Sequence, residues 1–204
     1  MINVLDTPIV FCDVETTGSR HQGARVTEVA LVRYEQGREV DRFSTLVNPK
    51  QHIPAMITRI TGIDNTMVRD APAFGQIAER ISDITKDCVF CAHNVNFDFG
   101  FISSQLASAG YDYQAKKLCT VLLSRRLYSM HKGHSLGKII ERFGFSFSDR
   151  HRALDDTLAL VQFAKQIERD FSHDHIRSAI FDGQKAMREQ IPVHTRSVKE
   201  TIVF

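Results

Sequence analysis

Two acidic residues, Asp13 and Glu15, end an otherwise apolar run near the start of the chain, and Thr-Thr-Gly follows them directly. The β-branched and aromatic residues at 9–12 predict a buried strand, because a short apolar run suits a sheet that is covered on both faces. Residues two apart on a strand project from the same side, so the two carboxylates would be neighbours. Their repulsion and lost hydration are tolerable when a cation lies between them. This stretch therefore indicates a metal site.

Further residues capable of chemistry occur in two later segments. Asp98 lies in AHNVNFDFGFI, at the predicted beginning of a helix. Either the helix dipole or a cleft would explain an acid there. The segment DRHRALDDTLAL opens an amphipathic helix and contains His151, Asp155 and Asp156. Both acids can lie near the histidine on the helix surface, and periodicity requires one to lean towards the apolar stripe and the other towards solvent.

The composition is that of an ordinary globular domain. The 204 residues, with 43% hydrophobic and 25% charged residues, suffice for one domain with a proper core. The net charge of +2 is too small to indicate nucleic-acid binding, so any basic surface must be local. No apolar run is long enough to cross a membrane, and MINVLDTP lacks the features of a signal peptide. We expect a cytoplasmic protein without membrane contact, with reduced cysteines that include a structural Cys88 and Cys91.

The elements that must position these residues indicate an α/β domain. Strands followed by strands alternating with helices predict a mixed sheet flanked by helices. Residues 172–204 carry less apolar periodicity and are expected to form a C-terminal extension or linker. The predicted strands lie near 8–15, 25–34, 39–47 and 88–92, and the predicted helices near 53–61, 71–86, 96–109, 120–129, 135–143 and 152–170.

In this order, FCDVETTG, AHNVNFDFGFI and HRALDDTLAL resemble the three motifs of the DEDDh 3′→5′ exonucleases. Within that family the chain is most similar to the proofreading epsilon subunits of bacterial DNA polymerase III. The resemblance runs from Pro8 to Asp170 and includes PAMITRITGIDNTMVRDAP between the first two motifs. It implies an RNase H-like fold and an exonuclease domain over residues 1–171.

The resemblance also implies the catalytic roles. The family spacing H-x-x-x-x-D selects Asp156 over Asp155. The acids would hold two Mg²⁺ or Mn²⁺ ions, and the histidine would be the general base. Two such ions can neutralise the phosphate, supply a nucleophile and stabilise the leaving oxygen. The catalytic set carried over is Asp13, Glu15, Asp98, His151 and Asp156, and its four acids are the metal ligands.

Contacts to the 3′-terminal nucleotide follow from the same resemblance. The loop Thr16-Thr17-Gly18 would hold that nucleotide. An apolar residue of the ITG segment, Ile60 or Ile63, would wedge against the terminal base, although a core role is an equal alternative. Cations that could contact phosphates are Arg20, His21, Arg25, Lys116, Lys117, Arg125, Arg126, Lys132, Arg150 and Arg152.

The motifs together predict a metal-dependent 3′→5′ exonuclease that removes nucleotides from single-stranded or frayed 3′ ends of DNA. A DNA polymerase or a sliding clamp is the expected type of protein partner. Two alternatives stay open. One is an exoribonuclease of the same family, because the choice of sugar depends on contacts to the 2′ position. The other is a non-catalytic nucleic-acid-binding or polymerase-docking module, against which the complete catalytic set argues.

Overall fold

The structure, a computed structural model, describes residues 7–147 and 152–180. Its centre is a five-stranded sheet with the strand order β3-β2-β1-β4-β5. The first three strands form an antiparallel meander, and β4 and β5 continue the sheet parallel to β1. The predicted mixed sheet is thus confirmed. The strands are β1 (Ile9–Thr16), β2 (Val26–Glu35), β3 (Arg38–Leu46), β4 (Val89–Ala92) and β5 (Lys117–Cys119).

Helices cover both faces of this sheet. The sequence predicted each of the six named helices, with bounds that differ by a few residues from those observed. Residues 173–180 are helical as well. The named helices are α1 (Ala55–Thr61), α2 (Phe74–Thr85), α3 (Val95–Ser108), α4 (Thr120–Leu127), α5 (Leu136–Phe143) and α6 (Ala153–Asp170).

The central strand β1 is buried on both sides because its residues alternate between two cores. Val10 and Cys12 pack with side chains of α2 and α3. Ile9 and Phe11 point to the other face and pack with side chains of α4, α5 and α6. β1 therefore begins with an unbroken apolar run because the sheet is covered on both faces, as the sequence predicted.

The packed domain continues past Phe171, where the sequence-based boundary was placed. Ile176 is 2% exposed and Ala179 is 5% exposed, and both belong to the same core as Ile167 of α6. The first part of the expected extension is therefore part of the fold, and residues 181–204 lie outside the described residues. Among the residues described, the search for a helix both long and apolar enough to span a membrane found none.

Candidate active site

Three carboxylates meet where β1 leaves the core. Asp13 and Glu15 project from β1, and Asp156 reaches them from the first turn of α6. One oxygen from each of the three lies within 4.8 Å of the others. Asp13 and Glu15 are partly buried, and Asp156 is only 9% exposed. The structure thus brings Asp156, and not its neighbour Asp155, into the cluster.

Asp98 approaches the same strand from α3. Its Oδ1 accepts a hydrogen bond of 3.2 Å from the backbone N–H of Val14, the residue between Asp13 and Glu15. The residue before α3, Asn94, has a left-handed φ of 70°, which turns the chain sharply from β4 into the helix. This turn places Asp98, 3% exposed, in the first helical turn next to β1. Asp98 therefore lies beside the three-carboxylate cluster.

The electrostatics of the cluster oppose full ionisation. Burial, followed by the charges of Asp98, Asp156 and Glu15, raises the pKa of Asp13 well above its usual range. Burial also raises the pKa of Glu15 to about 8, with Asp156 and Glu28 adding to the effect and Arg152 opposing it.

The pKa of Asp98 is raised to about 8, again chiefly by burial. Backbone hydrogen bonds to its carboxylate oppose that rise. Buried acids of this kind carry charge readily only beside a cation. The donor set consists entirely of carboxylate oxygens, which suits a hard ion such as Mg²⁺ or Mn²⁺. The residues present therefore fit the divalent cation that the motifs predict.

The Thr16-Thr17-Gly18 loop is held in shape by its own hydroxyl groups. Thr16 Oγ1 donates a hydrogen bond of 2.8 Å to the carbonyl oxygen of Gly18. Thr17 Oγ1 accepts one of 2.9 Å from the backbone N–H of Arg25 and another from Gln51 Nε2. Both threonines are less than a tenth exposed. The loop is thus fixed directly after the two acids of β1.

The assignment of Ile63 to the substrate is wrong for this conformation. Ile63 is fully buried and packs with Ile53 and Val68 in a small separate core. The helix α1 ends at Thr61, and Gly62 follows it with a left-handed φ of 74°, which turns the next residue inwards. Spacing alone did not reveal that turn. The exposed apolar residue of this segment is Ile60, which is 57% exposed.

A further buried acid, Glu28, was missed by the sequence reasoning. It is the register partner of Glu15 across β1 and β2, and it is 3% exposed. Arg152, predicted to contact substrate, forms an ion pair of 2.7 Å with it. The signal was present in the sequence, because pairing the two predicted strands would have set Glu28 opposite the motif acids. His151 and Arg150 lie outside the described residues.

His93 and the cysteines have structural positions in the fold. His93 Nδ1 lies 2.9 Å from Thr120 Oγ1, which ties the end of β4 to the beginning of α4. Burial lowers the pKa of His93 to about 4, so it is a neutral structural group near neutral pH. All four cysteines, each within the described residues, are free and buried.

Comparison with known proteins gives a consistent result. Residues 10–164 match the family model RNase_T, described as exonuclease. The chain is 35% identical over 168 residues to DNA polymerase III subunit epsilon of Aquifex aeolicus, covering 81% of this chain and 83% of that protein. It is 36% identical over 166 residues to the PolC-type DNA polymerase III of Caldanaerobacter subterraneus subsp. tengcongensis, covering 81% of this chain. The chain spans only 12% of that much longer relative.

Solved structures share the fold. The zinc-bound complex of E. coli exonuclease I with single-stranded DNA superimposes with a TM-score of 0.77 at 18% identity, over 90% of this chain and 45% of that one. Exonuclease X in complex with 5′-overhanging duplex DNA gives a TM-score of 0.64 at 22% identity, over 84% of this chain and 99% of that one.

Proposed function

Because the chain belongs to the RNase_T exonuclease family, we propose that it is a 3′→5′ exonuclease that uses divalent cations to remove nucleotides from single-stranded or frayed 3′ ends of DNA. One observation carries this proposal most strongly. The carboxylates of Asp13, Glu15 and Asp156 come from two distant segments and converge within 4.8 Å. Such crowding of buried acids is typical of a metal-binding catalytic site and is costly elsewhere.

Asp13, Glu15 and Asp156 would hold the cations, two Mg²⁺ or Mn²⁺ by resemblance to the family, and Asp98 would complete the site from α3. When bound, such ions neutralise charge on the phosphodiester and make water a stronger nucleophile. The protein contributes by holding these carboxylate oxygens close together at a partly buried position. Burial strengthens the electrostatic attraction between these oxygens and a cation.

His151 acts in this proposal as the general base. Its neutral imidazole would take a proton from the attacking water, and the imidazolium form cannot do so. Support comes from its place in the chain, directly before Arg152, which is anchored next to Glu15 through Glu28. The Thr16-Thr17-Gly18 loop follows the β1 acids, and we infer that it receives the 3′-terminal nucleotide.

A role in DNA metabolism is supported by the names of the relatives, which include a subunit of DNA polymerase III and the 3′-5′ exonuclease DinG of Bacillus subtilis. A DNA polymerase or a sliding clamp is the partner that this similarity suggests. Cations at the surface would contact the phosphate backbone of the incoming strand.

The test is a time course with a 5′-labelled single-stranded DNA, the matched RNA and a closed circular single strand. We expect a ladder that shortens from the 3′ end of the linear DNA, slower shortening of the RNA and an intact circle. The reaction should need Mg²⁺ or Mn²⁺ and stop with a chelator. Cutting of the circle would indicate an endonuclease, and faster loss of RNA would make the enzyme an exoribonuclease.

A further inference from the structure

Glu28 is a buried carboxylate to which neither the motifs nor the proposed mechanism gives a role. It lies in β2 directly opposite Glu15 of β1 and is 3% exposed. Directly paired residues of antiparallel strands project from the same face of the sheet. Glu28 therefore faces the same side as Glu15, towards α6, and stands next to the three-carboxylate cluster without belonging to it.

The carboxylate of Glu28 is fully engaged with the beginning of α6. Its Oε1 accepts hydrogen bonds from Nη2 and Nε of Arg152 at 2.7 and 3.1 Å, and its Oε2 lies 3.2 Å from the same Nε. Oε2 also accepts a 3.0 Å hydrogen bond from the backbone N–H of Ala153, the first residue of the helix. A carboxylate at this position satisfies an N–H that the helix leaves unpaired and faces the positive end of the helix dipole.

A second contact ties the same helical turn to the same strand. Thr157 Oγ1 donates a hydrogen bond of 3.4 Å to the carbonyl oxygen of Ala30, two residues after Glu28 in β2. Asp156 lies in the chain between Ala153 and Thr157, the two points that are tied to β2. The position of its carboxylate relative to Glu15 therefore depends on how α6 is held against β2.

We propose that Glu28 is a positioning residue of the active site, which holds the first turn of α6 so that Asp156 meets Asp13 and Glu15. This inference rests on the proposed function. In the chain, Arg152 directly follows His151, the residue assigned as general base.

Stability alone is a poor reason for this pair. Burying the carboxylate of Glu28 costs hydration, and an ion pair with a buried member is often no more stabilising than apolar side chains of similar size. Its distinctive property is geometric, because a bidentate contact between a guanidinium and a carboxylate defines both the distance and the orientation of the two groups.

The test compares Glu28→Gln with the parent protein in steady-state hydrolysis of single-stranded DNA at several Mn²⁺ concentrations. The amide of Gln keeps the size of the side chain and one acceptor oxygen. It loses the negative charge and the bidentate contact with Arg152. We expect kcat to fall about 10–100-fold and the Mn²⁺ concentration for half-maximal rate to rise, the usual effect of removing a group that orients a metal ligand. KM for DNA should change less than about threefold on this account.

Glu35→Gln is the matched control. Glu35 lies at the other end of β2 and forms an ion pair of 2.6 Å with Arg33, so the residue type, the strand and the type of partner are the same, but the side chain of Glu35 is 38% exposed. This variant should keep kcat and the Mn²⁺ requirement. Glu28→Asp is a second test that preserves the charge with a shorter side chain, and we expect it to recover part of the lost kcat.

Three outcomes would overturn the inference. The first is Glu28→Gln with parental kcat and Mn²⁺ requirement per folded molecule. The second is an equal loss of activity in Glu28→Gln and Glu35→Gln, which would indicate a general loss of stability. The third is Glu28→Asp remaining as impaired as Glu28→Gln while both stay folded. If the parent has no exonuclease activity, the proposed function fails, and calorimetric Mn²⁺ titration of parent and Glu28→Gln still decides whether Glu28 positions the ligands.

Discussion

The carboxylates at the end of β1 and those on the surface of the protein lie in opposite environments. At the site, burial and neighbouring carboxylates raise the pKa of Asp13, and burial raises the pKa of Glu15 and Asp98 to about 8 each. These side chains come from different elements and repel one another. Their ionised forms are therefore disfavoured in the metal-free fold.

At the surface, Asp41 and Asp64 each have hydrogen-bond donors as partners instead. A hydrogen bond from Arg80 lowers the pKa of Asp41. Hydrogen bonds from the side chain of Thr66 and from backbone N–H groups lower the pKa of Asp64. These carboxylates are more readily ionised in the folded chain than in the unfolded one.

The partnered surface acids stabilise the fold, whereas the clustered acids at the end of β1 destabilise it. A partnered surface acid adds a modest stabilisation that depends only on the protein. The clustered acids lower the stability of the metal-free protein, and a cation among them would reverse that effect. Variants in the two regions should therefore have opposite consequences for stability and activity.

The largest effect is expected from Asp13→Asn. The amide keeps the shape but removes the charge at the centre of the cluster, so cation-dependent hydrolysis should fall about 10⁴-fold or more. The measurement is single-turnover hydrolysis of a 5′-labelled strand with Mn²⁺. Hydrolysis within tenfold of the parent rate would show that Asp13 is dispensable and that the cluster is not the catalytic centre.

Asp155 and Asp156 are adjacent acids in the first turn of α6, and only Asp156 belongs to the three-carboxylate cluster. Asp156→Ala should lose both activity and Mn²⁺ affinity, because Asp156 supplies an oxygen to the cluster. Asp155→Ala, the matched control, should keep most of both. Rates and calorimetric Mn²⁺ titrations of the two variants give the answer, and an inactive Asp155→Ala beside an active Asp156→Ala would reverse the assignment.

Replacement of His151 should have a smaller effect on rate and little effect on metal binding. His151→Ala removes the proposed base and should reduce the rate about 10²–10⁴-fold. Mn²⁺ affinity should stay near the parental value, because the carboxylates remain. A rate close to that of the parent, under conditions in which chemistry is limiting, would show that hydrolysis needs no base from the protein.

The smallest effect is expected on the surface. Asp41→Asn removes a partly exposed pair with Arg80, in which Nη1 and Oδ2 are 2.7 Å apart. The free energy of unfolding should fall by about 0.2–1 kcal/mol, the usual range for exposed pairs. This contribution is present above the unfolded pKa of Asp41 and is lost as pH falls through its lowered folded pKa. Urea unfolding measures it, and kcat should not change.

Much of this arrangement was predictable from the sequence, since apolar periodicity located the helices and the motifs located the acids. Three features were not. The strand β5 is only three residues long, too short for a pattern. The inward turn of Ile63 depends on the left-handed Gly62. Strand pairing would have placed Glu28 opposite Glu15, but the ion pair between Glu28 and Arg152, 124 residues apart, forms only in the folded chain.

We propose that the acids at the end of β1 form a cation site, and the pH dependence of stability reports on it. In chelator-treated protein, the raised pKa of Glu15 makes a contribution to stability. That contribution is fully present below the pKa that Glu15 has in the unfolded chain, about 4.3. That contribution is lost as pH rises through about 8. Asp98 behaves in the same way. Metal-free protein should therefore lose stability with rising pH over this window.

The most direct measurement is the Tm of the parent and of Asp13→Asn between about pH 5 and pH 9, with chelator and with Mn²⁺, because bound metal favours deprotonated ligands. We expect the Tm of the metal-free parent to fall with pH more steeply than that of Asp13→Asn. Mn²⁺ should raise the Tm of the parent most at high pH and that of the variant little. Parallel pH profiles and equal responses to Mn²⁺ in the two proteins would contradict the account.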